Sequence, residues 1–169
     1  AELFCNESCS TLRFLIPLCL LFGQKITLKG TERLMSRSLA VYKEMCLSQG
    51  IEFTEDKENV TVCGKLTPGK YSVRGDVSSQ FISGLMFALP LLEKDSIIDI
   101  MGALESGSYL GMTVKALAEF GVRISRTDEH TIFIKGSQTY KPRTLRVEGD
   151  YSNAAFFEAF NSVGGNVAV

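Results

Sequence analysis

The chain has 169 residues, of which 45% are hydrophobic and 22% are charged, so it can bury a core and is not disordered as a whole. Eighteen basic residues against nineteen acidic ones give a net charge of -1, which argues against a nucleic-acid partner. The longest apolar run, residues 14–22, is much shorter than a membrane span, and no signal peptide is visible, so we expect a soluble protein with no membrane partner.

In chain order, the first predicted element is an apolar helix that starts near Ser10 and contains Pro17, where we expect a kink or an early end. A strand follows at residues 26–30. A helix that ends at Gly50 precedes the next strand, and residues 60–64 form another strand.

The second part of the chain has the same order of elements with clearer signals. Residues 78–92 begin with hydroxyl residues typical of an N-cap and continue as a helix that is apolar on most sides. Residues 96–101 predict a strand, and residues 107–120 predict an amphipathic helix that ends at Gly121. Three short strands are predicted to follow, at residues 122–125, 131–135 and 144–147.

The chain repeats itself at a nearly constant spacing. Gly75-Asp76 recurs as Gly149-Asp150, and the helices and strands around them align in the same order. We predict a first unit at residues 1–76, a second at 77–150 and the truncated start of a third at 151–169, with a helix at 151–163 and a strand at 166–169. These features suggest a fragment of a larger, repeat-built protein.

Two kinds of position in each unit are candidates for binding an anion. Ser78, Ser79 and Gln80 lie at the predicted start of a buried helix, where free N–H groups bind phosphate or carboxylate, although plain N-capping is the alternative. The matching stretch of the first unit contains Arg13. The loop before the second helix of each unit offers Ser106, Ser108 and Tyr109 in one case and Arg33, Arg37 and Ser38 in the other.

The repeat places all of these residues at the same end of their units. Arginine forks suit phosphate or carboxylate groups, although a solvated charged face is the alternative for the arginines. We therefore predict one face that binds a hydroxylated, phosphorylated or carboxylated small molecule.

The cysteines and the histidine give no sign of a metal site or of nucleophilic catalysis. The single histidine, His130, lies between two strand-like runs and is predicted to belong to a turn. The number of cysteines is odd, no two of them form a CxxC pair, and a zinc site normally needs close Cys/His pairs. We therefore expect no metal, and reduced, mostly buried thiols in a cytoplasmic protein. The cysteines are Cys5, Cys9, Cys19, Cys46 and Cys63.

The runs GDVSSQFISGLMFALPLL, GALESGSYLGMTVKALAEFGV and VEGDYSNAAFF closely resemble the 5-enolpyruvylshikimate-3-phosphate synthase (EPSP synthase) family. The resemblance extends over nearly the whole chain. It implies an α/β (α+β) fold in which tandem βαβαββ units form an inside-out α/β barrel around a pseudo-threefold axis, with helices inside and sheets outside. This chain would be an incomplete domain of that kind, and its first unit would lack the N-terminal strand.

The resemblance also implies an activity. The family transfers the enolpyruvyl group of phosphoenolpyruvate to shikimate-3-phosphate in the shikimate pathway of aromatic amino acid biosynthesis, and needs no metal or organic cofactor. No catalytic residue is assigned within this chain, and we expect the chain alone to be inactive because the family's proton-transfer residues belong to portions that it does not include.

Individual site residues follow from the same resemblance. Ser78 and Ser79 would bind the 3-phosphate of shikimate-3-phosphate with help from Ser106, and Tyr109 would line the shikimate side. Gln80 would lie between the two substrates. The residues implied for phosphoenolpyruvate are Arg37, Gln80 and Cys9.

Two departures from the family pattern lie on the phosphoenolpyruvate side. Cys9 stands where the family has a glycine that lies against this substrate, so we expect its side chain to weaken the binding of phosphoenolpyruvate and of glyphosate, which competes for the same space. Ser38 stands where a proline usually follows the arginine, which would loosen the loop that holds Arg37.

Two other functions stay open at this point. The sister enolpyruvyl transferase that acts on UDP-N-acetylglucosamine has the same fold, but it uses a loop cysteine in a motif that no cysteine here matches. Alternatively, the chain is a non-catalytic ligand-binding or assembly fragment whose exposed apolar helix faces drive self-association.

Overall fold

Two four-stranded sheets form the framework of the molecule in a computed structural model that describes residues 1–104 and 107–168. The first sheet has the order β1-β2-β4-β3, with β1 parallel to β2 and the other pairs antiparallel. Its strands are β1 (Glu2–Asn6), β2 (Ile26–Gly30), β3 (Glu52–Glu55) and β4 (Asn59–Cys63). The helices of this part are α1 (Cys9–Cys19), α2 (Glu32–Met35) and α3 (Ala40–Ser48).

The second sheet repeats this arrangement in the order β5-β6-β8-β7, again with one parallel and two antiparallel pairs. Its strands are β5 (Lys70–Arg74), β6 (Ser96–Met101), β7 (Ile124–Arg126) and β8 (Thr131–Ile134). The helices are α4 (Ser79–Ala88), which continues into a 3-10 turn at Leu89–Leu91, and α5 (Gly107–Glu119); a last helix, α6 (Tyr151–Ser162), follows. The two halves of the chain therefore share one topology.

Each sheet is buried on one face because its strands alternate apolar and polar residues. In β5, Tyr71 and Val73 are buried while the residues between and beside them are exposed, and in β6 Ile98 and Ile100 are buried. The helices α1 and α4 pack against each other in the core. The helices therefore lie inside and the sheets outside, as predicted.

Helix α1 does not end at Pro17, where we expected a kink or an early end, but continues to Cys19. Proline has no N–H to donate to the carbonyl four residues earlier, which is that of Arg13. The hydroxyl of Tyr42 in α3 donates to this carbonyl at 2.8 Å and also lies 3.0 Å from the Phe81 carbonyl, so its one proton is shared between the two acceptors. A side chain from another helix thus supplies the hydrogen bond that the proline removes.

Three predictions about strands are wrong. The first unit does not lack an N-terminal strand, because Glu2–Asn6 forms β1 alongside β2. Residues 144–147 and the described residues 166–168 form no strand, because neither segment has a strand beside it to accept its hydrogen bonds among the described residues. An apolar pattern alone does not make a strand.

Strand β5 also pairs differently from the predicted division of the chain. The proposed boundary between residues 76 and 77 assigns β5 to the first unit, whereas β5 forms the edge of the second sheet through its pairing with β6. The sheets therefore divide between Cys63 and Lys70. The wider division into a second unit ending at residue 150 and a third beginning at 151 stays a prediction.

Helix α6 is the most exposed helix of the described residues. None of its residues is buried, and the preceding segment, residues 141–150, is exposed and has no regular secondary structure. Its aromatic side chains Tyr151, Phe156 and Phe160 are 78%, 75% and 55% exposed. Among the described residues, no helix is both long enough and apolar enough to cross a membrane.

Candidate substrate-binding site

The predicted substrate residues at the start of α4 line a pocket with a volume of about 610 Å³ between α1, α4 and α5. Ser78, Ser79 and Gln80 contribute from α4 and its cap, and Tyr109 contributes from α5. Ser10 of α1 lies on the opposite side. The pocket thus combines hydroxyl and amide groups with an apolar wall, a combination common in small-molecule sites.

The N-terminus of α4 forms one edge of this pocket. Ser78 is the N-cap, and its Oγ accepts a hydrogen bond from the Gln80 backbone N–H at 3.3 Å. Ser79, whose side chain is only 6% exposed, begins the helix. The helix dipole adds about half a positive charge at this end. N-capping and anion binding are compatible here, since one capped N–H leaves others in the first turn free.

Arg13 of α1 reaches the start of α4 and connects three segments. Its Nη1 donates to Gln80 Oε1 at 3.0 Å and lies 3.4 Å from Ser78 Oγ, while its Nη2 donates to the carbonyl of Ser38 at 3.4 Å. The guanidinium carbon lies 4.5 Å above the centre of the Phe81 ring, in cation–π geometry.

One donor of Arg13 is not satisfied. Its Nε is buried and has no hydrogen-bond partner in the described part of the chain. An unsatisfied buried donor costs about 1–3 kcal/mol, so the contacts of the two Nη atoms and of the ring below must offset this penalty.

Of the three residues predicted for phosphoenolpyruvate, Gln80 lines this pocket, whereas Arg37 and Cys9 lie outside it. Arg37 is exposed and follows α2, and its neighbour Ser38 is the residue whose carbonyl contacts Arg13. Cys9 is half-buried at the first position of α1, beside the pocket residue Ser10. Ser106, which was assigned to the shikimate-3-phosphate phosphate, lies outside the described residues.

A hydrogen bond that the sequence analysis missed joins α4 to α5 beside the pocket. The hydroxyls of Ser83 and Thr113 are 2.8 Å apart, and both residues are buried. Thr113 Oγ1 donates its only proton to the Tyr109 carbonyl at 3.0 Å, so Ser83 must be the donor of the pair. The bond fixes the helix turn that carries Tyr109. The feature of the sequence that could have indicated this bond is Ser83, a polar residue within the apolar run of α4.

Tyr42 is protonated in this environment, which is what its structural role requires. Burial raises the pKa of its phenol well above its usual value of 10.0, and the nearby Arg13 lowers it only in part. The same cause raises the pKa of the Cys19 and Cys46 thiols to about 11. These thiols are therefore protonated and unreactive at neutral pH.

The described residues include no group of three or more His, Cys, Asp or Glu side chains arranged to hold a metal ion. They also include no disulfide, and the five cysteines are free. The polar side chains that line the pocket carry hydroxyl and amide groups, and the Arg13 guanidinium group contacts the Gln80 amide.

The fold of this chain is that of the enolpyruvyl transferases that make EPSP. The structure of EPSP synthase from Acinetobacter baumannii superposes with a TM-score of 0.72 over 93% of this chain and 35% of that chain, at 20% identity. This match confirms the predicted α/β class with its inside-out arrangement.

Sequence comparison identifies the family. Residues 1–169 match the family described as EPSP synthase (3-phosphoshikimate 1-carboxyvinyltransferase). The Clostridium kluyveri 3-phosphoshikimate 1-carboxyvinyltransferase is 46% identical over 162 residues, which are 95% of this chain and 38% of the relative. The enzyme of the same name from Clostridium perfringens strain SM101 is 43% identical over 165 residues, 96% of this chain and 39% of the relative. The chain belongs to the EPSP synthase family and spans less than two fifths of these relatives.

Proposed function

We propose that this chain is part of a 3-phosphoshikimate 1-carboxyvinyltransferase and carries a half-site for shikimate-3-phosphate. The observation that supports this most strongly is the pocket at the start of α4, which Ser78, Ser79, Gln80 and Tyr109 line together. The proposed reaction is the one named for the relatives, and the pocket is the proposed binding place of its phosphorylated substrate.

In this proposal the phosphate of shikimate-3-phosphate lies against the first turn of α4. The hydroxyls of Ser78 and Ser79 and the free N–H groups of that turn donate hydrogen bonds to it, and Ser106 is proposed to help, as the family resemblance implies. Tyr109 lines the side of the shikimate ring. Because these donors are fixed before the substrate arrives, little reorganisation opposes binding.

Phosphoenolpyruvate would bind on the side of Arg37 and Cys9. Two anionic substrates repel each other, so positive groups near both are needed to bring the reacting atoms together. Arg37 supplies such a charge, and Gln80 lies between the two sites. The Cys9 side chain reduces the space for phosphoenolpyruvate and glyphosate, so Cys9→Gly should bind both ligands more tightly than the parent in a titration. Equal affinities of the variant and the parent would contradict this role of Cys9.

We expect the chain alone to bind shikimate-3-phosphate without turnover, and steady release of phosphate from the two substrates would contradict this. No metal or organic cofactor is proposed for the reaction. A cytoplasmic location is proposed as well, because the thiols of this chain are free.

Calorimetric titration of the chain with shikimate-3-phosphate tests the proposed half-site. Ser78→Ala and Ser79→Ala should each weaken binding about tenfold because each removes a donor to a charged group. Ser125→Ala, on the exposed strand β7, is the matched control and should bind like the parent. No binding by the parent, or tighter binding of UDP-N-acetylglucosamine in the same assay, would overturn the proposal.

Self-association is a second candidate property, favoured by the exposed aromatic residues of α6. A second copy of the chain could cover Phe156, which is 75% exposed. Light scattering after size exclusion should then show dimers that Phe156→Glu abolishes. Phe4→Glu, at a phenylalanine that is 77% exposed on β1, is the matched control. A monomer at all concentrations would exclude self-association.

A further inference from the structure

The side chain of Gln80 is held on one side only. Its Oε1 accepts the 3.0 Å hydrogen bond from Arg13 Nη1, and within the described chain its Nε2 makes no hydrogen bond. Gln80 also lines the pocket. The amide therefore has one end fixed by protein and one end available for a ligand.

The chemistry of arginine decides which end is fixed. A guanidinium group has five N–H donors and no acceptor, so only an oxygen can face it. The carboxamide of Gln80 must then present Oε1 to Arg13 and keep its two N–H donors for another partner. Without Arg13, rotation of the amide by half a turn would offer an acceptor where an anionic substrate needs a donor.

Arg13 is itself held firmly at both its backbone and its side chain. Its carbonyl receives the Tyr42 hydroxyl at 2.8 Å, and its guanidinium group lies on the Phe81 ring. Its Nη2 contact with the Ser38 carbonyl ties it to the loop that carries Arg37. The same side chain thus contacts the start of α4 and the loop of the second anion site.

We infer that Arg13 is a positioning residue that orients the Gln80 carboxamide so that Nε2 donates to the substrates. The inference rests on the proposed function, which makes Gln80 a substrate contact. Arg13 acts through Gln80 and not by touching the ligand. Its other contact at the start of α4, with Ser78 Oγ, is longer at 3.4 Å, so the loss of Arg13 should matter mainly while Gln80 is present.

A double-mutant cycle with shikimate-3-phosphate as the titrant tests this on the complete 169-residue chain. Arg13→Met keeps an apolar stem over Phe81 and removes the donors, and Gln80→Ala removes the amide. Each single variant should bind about tenfold more weakly, and the double variant should lose no more than about twofold beyond Gln80→Ala. Arg13→Lys should recover part of the loss.

Losses that multiply to about a hundredfold in the double variant would overturn the inference, because Arg13 would then act independently of Gln80, by contacting the ligand or through Ser78. The proposed function would stand in that case. Arg146→Lys, in the exposed segment before α6, is the matched control and should bind like the parent.

A ligand-free measurement separates failure of the inference from failure of the proposed function. The side-chain amide NMR signals of Gln80, assigned by their loss in Gln80→Ala, should shift in Arg13→Met and not in Arg146→Lys. If the parent chain does not bind shikimate-3-phosphate, the proposed function fails, and the NMR spectra alone then test whether Arg13 orients Gln80. Shifted Gln80 signals in Arg13→Met would support this orientation, and unchanged signals would overturn it.

Discussion

Helices α4 and α6 begin after the same Gly-Asp dipeptide of the repeat, yet α4 is buried and α6 is not. Before α4, Asp76 pairs with Arg74 of β5 at 2.6 Å, and the helix starts three residues later at Ser79, with Ser78 as its cap. Before α6, the position that matches Arg74 is Glu148. Asp150, left without that partner, caps the helix itself by accepting from Ser152 N at 2.9 Å.

The difference shows that burial is a property of the surroundings and not of the helix sequence. Both helices are rich in aromatic and aliphatic residues, but only α4 has α1 on one side and α5 on the other. In α6 the apolar side chains face solvent although their pattern is that of a core helix. The strength of the contrast can be measured.

The largest difference in the effect of a mutation on stability is expected between Phe81 and Phe156. Phe81 of α4 is fully buried and packs edge-on against the Tyr42 ring at 4.9 Å, so Phe81→Ala should lower the free energy of unfolding by about 3–5 kcal/mol. Phe156→Ala in α6 should change it by no more than about 0.5 kcal/mol. Urea unfolding measures both values. Equal losses of unfolding free energy in the two variants would show that α6 is packed in solution, and the contrast between α4 and α6 would then not hold.

Replacing either of two glycines by alanine should change the free energy of unfolding, but in opposite directions for the two positions. A methyl group on Gly84 of α4 would lie 2.6 Å from the Arg13 carbonyl and would also collide with the Tyr42 hydroxyl. Gly84→Ala should therefore destabilise the chain by about 1–3 kcal/mol. Gly111 in α5 has open space around it, so Gly111→Ala should stabilise by about 0.5–1 kcal/mol. If Gly84→Ala were neutral, the close approach of α1 and α4 would be in doubt.

The Tyr42 hydroxyl should be coupled to Pro17. Tyr42→Phe removes the hydroxyl donor from the Arg13 carbonyl and from the Phe81 carbonyl, and should cost about 1–3 kcal/mol in unfolding free energy. In a Pro17→Ala background the same change should cost less, because the restored backbone N–H at position 17 can donate to that carbonyl. A cost of Tyr42→Phe that is the same in both backgrounds would argue against this interpretation. Tyr109→Phe, at an exposed tyrosine, is the control for losing a hydroxyl.

The smallest effects should come from the exposed hairpins, which match in the two sheets. Hydrogen bonds from the backbone N–H groups of His130 and Thr131 lower the pKa of Asp128, and those of Glu58 and Asn59 act likewise on Asp56.

A lowered folded-state pKa stabilises the folded chain above the unfolded value of 3.8 and is lost as the pH falls through the folded value. Asp128→Asn should thus reduce stability at pH 7 and converge with the parent in acid. A difference that is constant with pH would show that the carboxylate charge is not involved.

Most of the fold could be predicted from the residues because the repeat supplied each signal twice. The helices after Ser78 and after Gly107 begin where the pattern placed them, and β6 matches its predicted range. Apart from the expected early end of α1 at Pro17, the errors concern strands: residues 144–147 have the right composition but no neighbouring strand. The N-terminal strand was missed because a short edge segment is recognised only by its pairing with β2.

The site could be predicted as a set of residues but not as a set of contacts. A helix start rich in hydroxyl groups identified Ser78, Ser79 and Gln80. The contact of Arg13 with Gln80 spans two helices of different units, and no local pattern encodes such a distance. The same holds for Ser83 and Thr113, whose hydroxyls meet only after α4 and α5 pack.

The proline in α1 has a consequence for how the chain folds. An isolated peptide with the sequence of α1 lacks an intrahelical donor for the Arg13 carbonyl, in addition to the carbonyls at its C-terminal end, and the missing donor arrives from a tyrosine 29 positions from Arg13. The Arg13 carbonyl therefore gains this hydrogen bond only when α3 docks, so local and long-range structure must form together at this place. Kinetic measurements on Tyr42→Phe would show whether that docking belongs to the rate-limiting step.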